Sequence, residues 1–282
     1  MMTLDVLIST IYRSGIERVV AMELPQVEGV RYVVSWQMPE GDVPAALLRD
    51  DVTVVTLDCR GISRNRNHAM AQSTADLCLV ADDDLHYTAD QLRSVIKVFE
   101  SNPDVELAAF RYSGPDNRYY PATEADLSVR CPKGYSPVCF ELAFRREVGG
   151  RVGFNELAGP GDHPLQAGED DFFLLQAQRR GVRCRFFPIT ITHHAGLTTG
   201  CRPMSAGVLK AQGAFIAVRY GLTGPLRVGL FAWRASRSGK ASLLTALRHV
   251  AAGYVYGLRH FHRDATAHAS TTAVGYGHAR TW

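Results

Sequence analysis

Short runs of apolar residues alternate with amphipathic stretches along most of this chain. Leu4–Thr10 is apolar and ends in small hydroxyl residues, which predicts a buried strand delivering Ser9 and Thr10 to a ligand-facing loop. Arg31–Trp36 and Val52–Leu57 are rich in β-branched residues and Leu77–Ala81 is a fourth apolar run, so further strands are expected there. Helices are expected over Gly15–Leu24 and Ser63–Ala75. Thr88 followed by Gln91 spells a capping box, opening a helix whose stripe Leu92, Val95, Ile96 and Phe99 runs until Asn102-Pro103 stops it. Glu106–Tyr112 and Val138–Phe144 read as strands, Gly149–Gly168 as a long glycine-rich loop, Asp170–Arg180 as a helix and Cys184–Ile191 as a final strand. Such alternation predicts an α/β fold with a mostly parallel sheet covered on both faces. From Ser205 the pattern is helical, with breaks at Gly224-Pro225 and 236–239. Three parts are therefore expected: a sheet domain over 1–204, a basic amphipathic helical extension over 205–263, and a loose tail over 264–282.

With 282 residues, 46% of them hydrophobic, the chain has enough apolar material for a sizeable core, and disorder is excluded except at the ends. Six cysteines without a C-x-x-C pair read as reduced thiols, which suggests the cytoplasm. The N-terminus runs straight into the first strand without a basic leader, and no stretch approaches the roughly 18 apolar residues of a membrane span. Charge is unevenly spread. Of the 28 carboxylates, 27 precede Phe172, whereas Phe172–Arg263 holds fourteen Lys or Arg and no Asp or Glu. A block of that kind suits phosphates of a nucleotide or a lipid headgroup. Nucleic acid is not expected, because the basic residues interleave with long apolar helical faces. Those faces either pack on the sheet domain as core or lie on an anionic membrane surface, peripherally on the inner face of the cell membrane.

Chemistry concentrates in four places. Asp82-Asp83-Asp84 follows a buried strand at its carboxyl end, where open parallel sheets bind ligands, and adjacent carboxylates persist most readily beside a cation such as Mn²⁺ or Mg²⁺. A solvated acidic turn would give the same string. Gly61-Ile62-Ser63-Arg64-Asn65-Arg66 combines a turn glycine, a helix start and two guanidinium groups, Arg64 or Arg66, that suit a phosphate. Glu169-Asp170-Asp171 opens a helix, where acids either stabilise the first turn or supply a general base. His193-His194 follows the last strand and offers an imidazole to a metal or diphosphate.

In this order, the Leu4–Thr10 strand, the Gly61–Asn67 segment, Ala81–Asp84, Gly168–Phe173, and His193-His194 with Thr198-Thr199-Gly200 resemble the family 2 glycosyltransferases of bacterial polysaccharide type, over about residues 4–200. The resemblance implies a GT-A type, Rossmann-like sheet with a C-terminal helical extension, and transfer by one in-line displacement with inversion. It implies that Arg66 lies near the donor diphosphate and that Asp82 and Asp84 are the ends of the D-x-D metal and ribose motif. Asp170 would be the catalytic base and His194 the late metal ligand, with His193 as the other candidate. Ser9, Thr10, Arg13, Ser35, Gly61 and Asp83 are expected on the donor. Phe154, Gly161, Glu169 and His193 are expected around the acceptor and donor sugar. The implied partners are a nucleoside-diphosphate sugar and a saccharide or lipid-linked acceptor. Many relatives carry Asp-Asp-Gly-Ser after the second strand, where this chain has Ser35-Trp36-Gln37, so the nucleotide stays open. Two other classes compete: a non-catalytic sugar-nucleotide or carbohydrate-binding protein, for which a base at Asp170 has no use, and a nucleotidyltransferase. The latter would need a glycine-rich loop where Ile11–Gly15 stands.

Overall fold

A computed structural model describes residues 1–116, 118–196 and 204–261. Strands β1 (Leu4–Ile11), β2 (Val30–Gln37), β3 (Val52–Leu57) and β4 (Leu77–Asp82) lie parallel in the order β3-β2-β1-β4. The register sets Leu4 opposite both Val30 and Leu77. Every residue of β1 up to Thr10 is buried, and its side chains alternate between two cores: Leu4, Val6 and Ile8 join one cluster and Leu7 the other. That is the signature of a strand covered on both faces. Helices α1 (Tyr12–Ala21), α2 (Ile62–Gln72) and α3 (Ala89–Ser101) supply the covering. Helix α3 starts at the expected capping box and buries Leu92, Val95, Ile96, Val98 and Phe99.

Beyond β4 the sheet continues through β8 (Leu142–Arg145), β6 (Leu107–Ser113) and β9 (Cys184–His194), with two-residue strands β5 (Leu85–His86) and β7 (Ala125–Asp126) pairing with β9. β8 runs antiparallel between β4 and β6, which restores β6 and β9 to the direction of the first four. The single strand expected over Val138–Phe144 is instead a 3₁₀ turn, Cys139–Glu141, followed by β8 and the short helix α4 (Arg146–Gly149). The buried Glu141 makes that turn: its carboxylate accepts from the Val138 amide at 2.9 Å and from the Tyr120 hydroxyl. β9 runs three residues further than expected, so His193 and His194 sit inside it. Its register against β6 shifts twice, between Ala109 and Arg111 and between Arg111 and Tyr112.

Helix α5 (Glu169–Arg179) follows the glycine-rich loop, and α6 (Ala206–Tyr220), α7 (Gly224–Arg237) and α8 (Leu243–His260) form the C-terminal extension. Backbones of α6 and α8 nearly touch. A Cβ at Gly213 would collide with the Val250 carbonyl, and one at Gly253 with the Lys210 carbonyl. The extension is anchored to the sheet domain by Phe172, whose ring stacks on Phe261 at 5.0 Å and meets Phe215 edge-on at 5.6 Å. No described helix is long and apolar enough to cross a membrane. Thr198-Thr199-Gly200 and the expected tail, 264–282, lie outside the described residues.

Candidate active site

A cleft of about 690 Å³ opens at the carboxyl ends of β1 and β4, between the start of α2, the head of α5 and the first turns of α6. Ligand sites of open parallel sheets occur at that edge, where the strands stop and their loops diverge. Ser9 and Thr10 reach it from β1, Gly61 and Arg66 from the entry to α2, and Asp82, Asp83 and Asp84 from the end of β4. Gly161, Glu169 and Asp170 come from the opposite wall, and His194 from the end of β9.

The three consecutive aspartates point three ways. Asp82 accepts from Arg66 Nη2 at 2.7 Å. Asp83 turns inward, taking the fork of Arg18 at 3.0 and 2.9 Å and the Thr10 hydroxyl at 2.6 Å. Burial lifts the Asp83 carboxyl above its ordinary value in spite of those donors, while the same contact raises the Arg18 guanidinium. Asp84 stays half exposed, its Oδ2 3.3 Å from His194 Nε2. Arg66 is itself buried, its side chain only 5% exposed, and reaches across the cleft to Glu169 Oε1 at 3.1 Å. Burial opposes its charge, but Asp82 and Glu169 hold the guanidinium well above its usual range.

Helix α5 begins at Gly168, whose φ of 88° is left-handed and suits glycine. Its first turn presents Glu169 to Arg66 and Asp171 to the Ser136 hydroxyl at 2.9 Å. Asp170 forms no salt bridge among the described residues and accepts only from the Asp171 amide at 3.0 Å. Burial pushes its carboxyl well above the carboxylate range, and the neighbouring Glu169 and Asp171 add to the rise while Arg66 opposes it. A carboxyl tuned upward, facing a cleft, has the character of a general base.

Among the described residues no group of three or more His, Cys, Asp or Glu is gathered at metal-binding spacing. Asp82 is taken by Arg66, so the expected trio of Asp82, Asp84 and His194 is reduced to its last two members. Those two fit a hard divalent ion: a carboxylate oxygen and an imidazole nitrogen lie side by side, with room in the cleft for phosphate oxygens. His194 is held by Phe140, stacked at 5.4 Å, and Tyr112, edge-on at 6.1 Å, and its buried Nδ1 has no hydrogen-bond partner among the described residues.

Four expected residues lie elsewhere. Arg13 is on the outer side of α1, paired with Glu17 at 2.9 Å, and the cleft receives Arg18 instead. Ser35 is fully buried 2.8 Å from His68 Nδ1, because β2 is covered on both faces. Phe154 stacks on Phe173 at 4.4 Å in the core, beneath the Arg66 guanidinium. His193 is exposed and 3.0 Å from the Ser113 hydroxyl, so of the twin histidines only His194 lines the cleft. Of the two arginines opening α2, Arg64 turns out to Glu156 at 3.2 Å. The cleft also gathers residues that the sequence reading left unassigned. Gln37, at the end of β2, donates to the Cys59 and Gly61 carbonyls at 2.7 and 3.1 Å, and Asn65 donates to Thr10 O at 3.0 Å. Arg60 lies 5.7 Å over the Tyr12 ring. Arg118 sits 3.7 Å from Glu141, whose carboxyl burial raises to about 7. A polar residue closing a buried strand was the available signal for Gln37; the others depend on pairings distant in sequence.

Residues 43–155 match the family described as glycosyl transferase family 2. No curated protein matches the chain. Solved structures do. S. aureus TarS 1–349 in complex with UDP-GlcNAc superposes with a TM-score of 0.55 at 15% identity, over 84% of this chain and 72% of that one. Mannosyltransferase PcManGT from Pyrobaculum calidifontis, in complex with GDP-Man and Mn²⁺, gives 0.53 at 16% identity, over 91% and 87%. A mycobacterial protein gives 0.54 at 16%, over 78% and 75%. At such identities these likenesses speak for the fold, which is GT-A. The segment that matches glycosyl transferase family 2 supplies β3, α2, β4 and the acidic rim of the cleft, and the fold around it is the one these solved structures share.

Proposed function

We propose that the cleft binds a nucleoside-diphosphate sugar and that the protein transfers the sugar, with inversion, to a hydroxyl of a saccharide or lipid-linked acceptor in cell-surface polysaccharide or glycolipid assembly. The observation that carries this reading is Asp170: a carboxyl with raised pKa and no cation paired with it among the described residues, across the cleft from the acidic end of β4. In this scheme Asp170 takes the proton of the acceptor hydroxyl as its oxygen bonds to the anomeric carbon from the face opposite the leaving diphosphate. In the same scheme Arg66 orients the donor by its hold on Asp82 and Glu169, and Asp82 would meet the ribose hydroxyls. Asp84 and His194 would hold a divalent ion, which would neutralise charge on the departing diphosphate. The sugar nucleotides named with TarS and PcManGT, and the Mn²⁺ of the latter, support the donor class and the use of such an ion.

The test is a screen of sugar nucleotides for turnover with and without Mn²⁺, followed by Asp170→Asn on the active donor. Transfer should fall by about 10³-fold with donor affinity kept, since a positioned base contributes roughly 10²–10⁴. Retained turnover removes Asp170 from the base role, and a product of unchanged anomeric configuration removes inversion.

A further inference from the structure

Helices α7 and α8 are packed inside out. Their inner faces, toward each other and α6, hold mostly small residues, Ala232 and Ala235 on α7 and Ala246, Gly253 and Gly257 on α8, with Val228, Val250 and Tyr254 the larger ones among them. Most of their leucines stand outside. Leu226, Leu230 and Trp233 are 88, 43 and 48% exposed, and their spacing of three to four residues lines them up along one side of α7, with Leu222, 78% exposed, in the turn just before it. On α8, Leu244, Leu247, Val255 and Leu258 repeat the pattern, the first 78% exposed. Surfaces meant for water do not carry contiguous leucine stripes on two neighbouring helices, so a partner phase is implied.

Charge decides what that phase is. Arg227, Arg234 and Arg237 border the stripe on α7, and Arg248 and Arg259 border that on α8, while Phe172–Arg263 contains no carboxylate. Arg227 lies 3.9 Å over the Tyr220 ring and Arg237 5.3 Å over Trp233. A second copy of the chain would set these arginines against their own kind in a twofold contact. An anionic bilayer satisfies both halves of the surface, accepting the leucines at the acyl boundary and the guanidinium groups at the phosphates.

We propose that the outer face of α7 and α8 seats on an anionic phospholipid surface, with both helices lying in its plane. The cleft is close by, because Val208 and Gln212 in the first turns of α6 line it. The seat would thus hold the cleft beside acceptors that reside in a membrane. Vesicle binding requires no turnover, so its failure would leave the transfer reading intact, and failure of transfer would leave this one intact.

The experiment is co-sedimentation of the full chain with vesicles of phosphatidylglycerol and phosphatidylcholine, against phosphatidylcholine alone, across a salt series. Binding should require phosphatidylglycerol and weaken as salt rises. The double variant Leu226→Glu with Leu244→Glu changes two exposed positions, so its melting temperature should match the parent while its vesicle partition drops at least about tenfold. Absence of binding to phosphatidylglycerol vesicles overturns the proposal, as does binding that the double variant keeps. Light scattering that shows a dimer dissolved by the same variant overturns it in favour of a second copy.

Discussion

Two runs of three acids face each other across the cleft, and they differ in what answers each charge. At the end of β4 every carboxylate has a side-chain partner: Asp82 has Arg66, Asp83 has Arg18 and Thr10, and Asp84 has His194. At the head of α5, Glu169 shares Arg66 and Asp171 takes a hydroxyl, whereas Asp170 is left with one backbone amide. Nearly the same letters, Asp-Asp-Asp and Glu-Asp-Asp, thus produce a compensated rim and an under-compensated one. The lesson is that reactivity follows the supply of donors, which is set by tertiary packing, more than it follows the density of acid.

The comparison breaks most severely at Arg66, the one side chain that serves both runs. Arg66→Met would strand Asp82 and Glu169 together, and removing one partner of a buried pair costs about 3–5 kcal/mol. Urea unfolding should show that loss. Arg66→Lys should recover little of it, because one ammonium cannot span two carboxylates as a fork does. A smaller loss is expected on the compensated side alone. Asp83→Ala orphans the buried Thr10 hydroxyl but frees Arg18, which is half exposed, to rehydrate, so about 1–3 kcal/mol should be lost in the same assay.

The smallest effect has the opposite sign. Folding raises the Asp170 pKa, so this group favours the folded state while protonated, below the ordinary carboxylate range, and that contribution is lost as pH climbs through the raised value. Asp170→Asn keeps the neutral form at every pH. At neutral pH it should therefore raise Tm by about 2–4 °C, what roughly 1 kcal/mol is worth in a domain of this size, with the gain vanishing toward acid pH. Calorimetry across pH would register this, and a lowered Tm at neutral pH would show that Asp170 is better compensated than its contacts indicate.

The parallel half of the sheet was readable from the chain because each of its strands is a run rich in apolar residues, and among its helices α3 carries a capping box at its start. Less was readable where pairing is long-range. Nothing near Val138 announces that Glu141 will be buried and turn the chain before β8. Arg13 and Arg18 share one helix, and only the position of Asp83, sixty-five residues further on, decides which of them the cleft receives. Ser35 was misplaced for a related reason: a strand buried on both sides has no polar face to mark which residues meet the ligand. Asp82, Asp83, Asp84, Arg66 and Asp170 could be expected together because they sit at strand ends and helix starts, and they do line one cleft at one edge of the sheet.

The doubly shifted register of β9 gives chain length a chemical meaning. Adjacent residues of a strand face opposite ways, so the surplus that β9 carries against β6 sets which imidazole stands beside Asp84. Deleting one residue between Phe187 and Ile191 would move His194 to the outward place that His193 holds and put Ala195, which has no ring, beside Asp84. Along this stretch, then, evolution can respell letters far more freely than it can add or drop one.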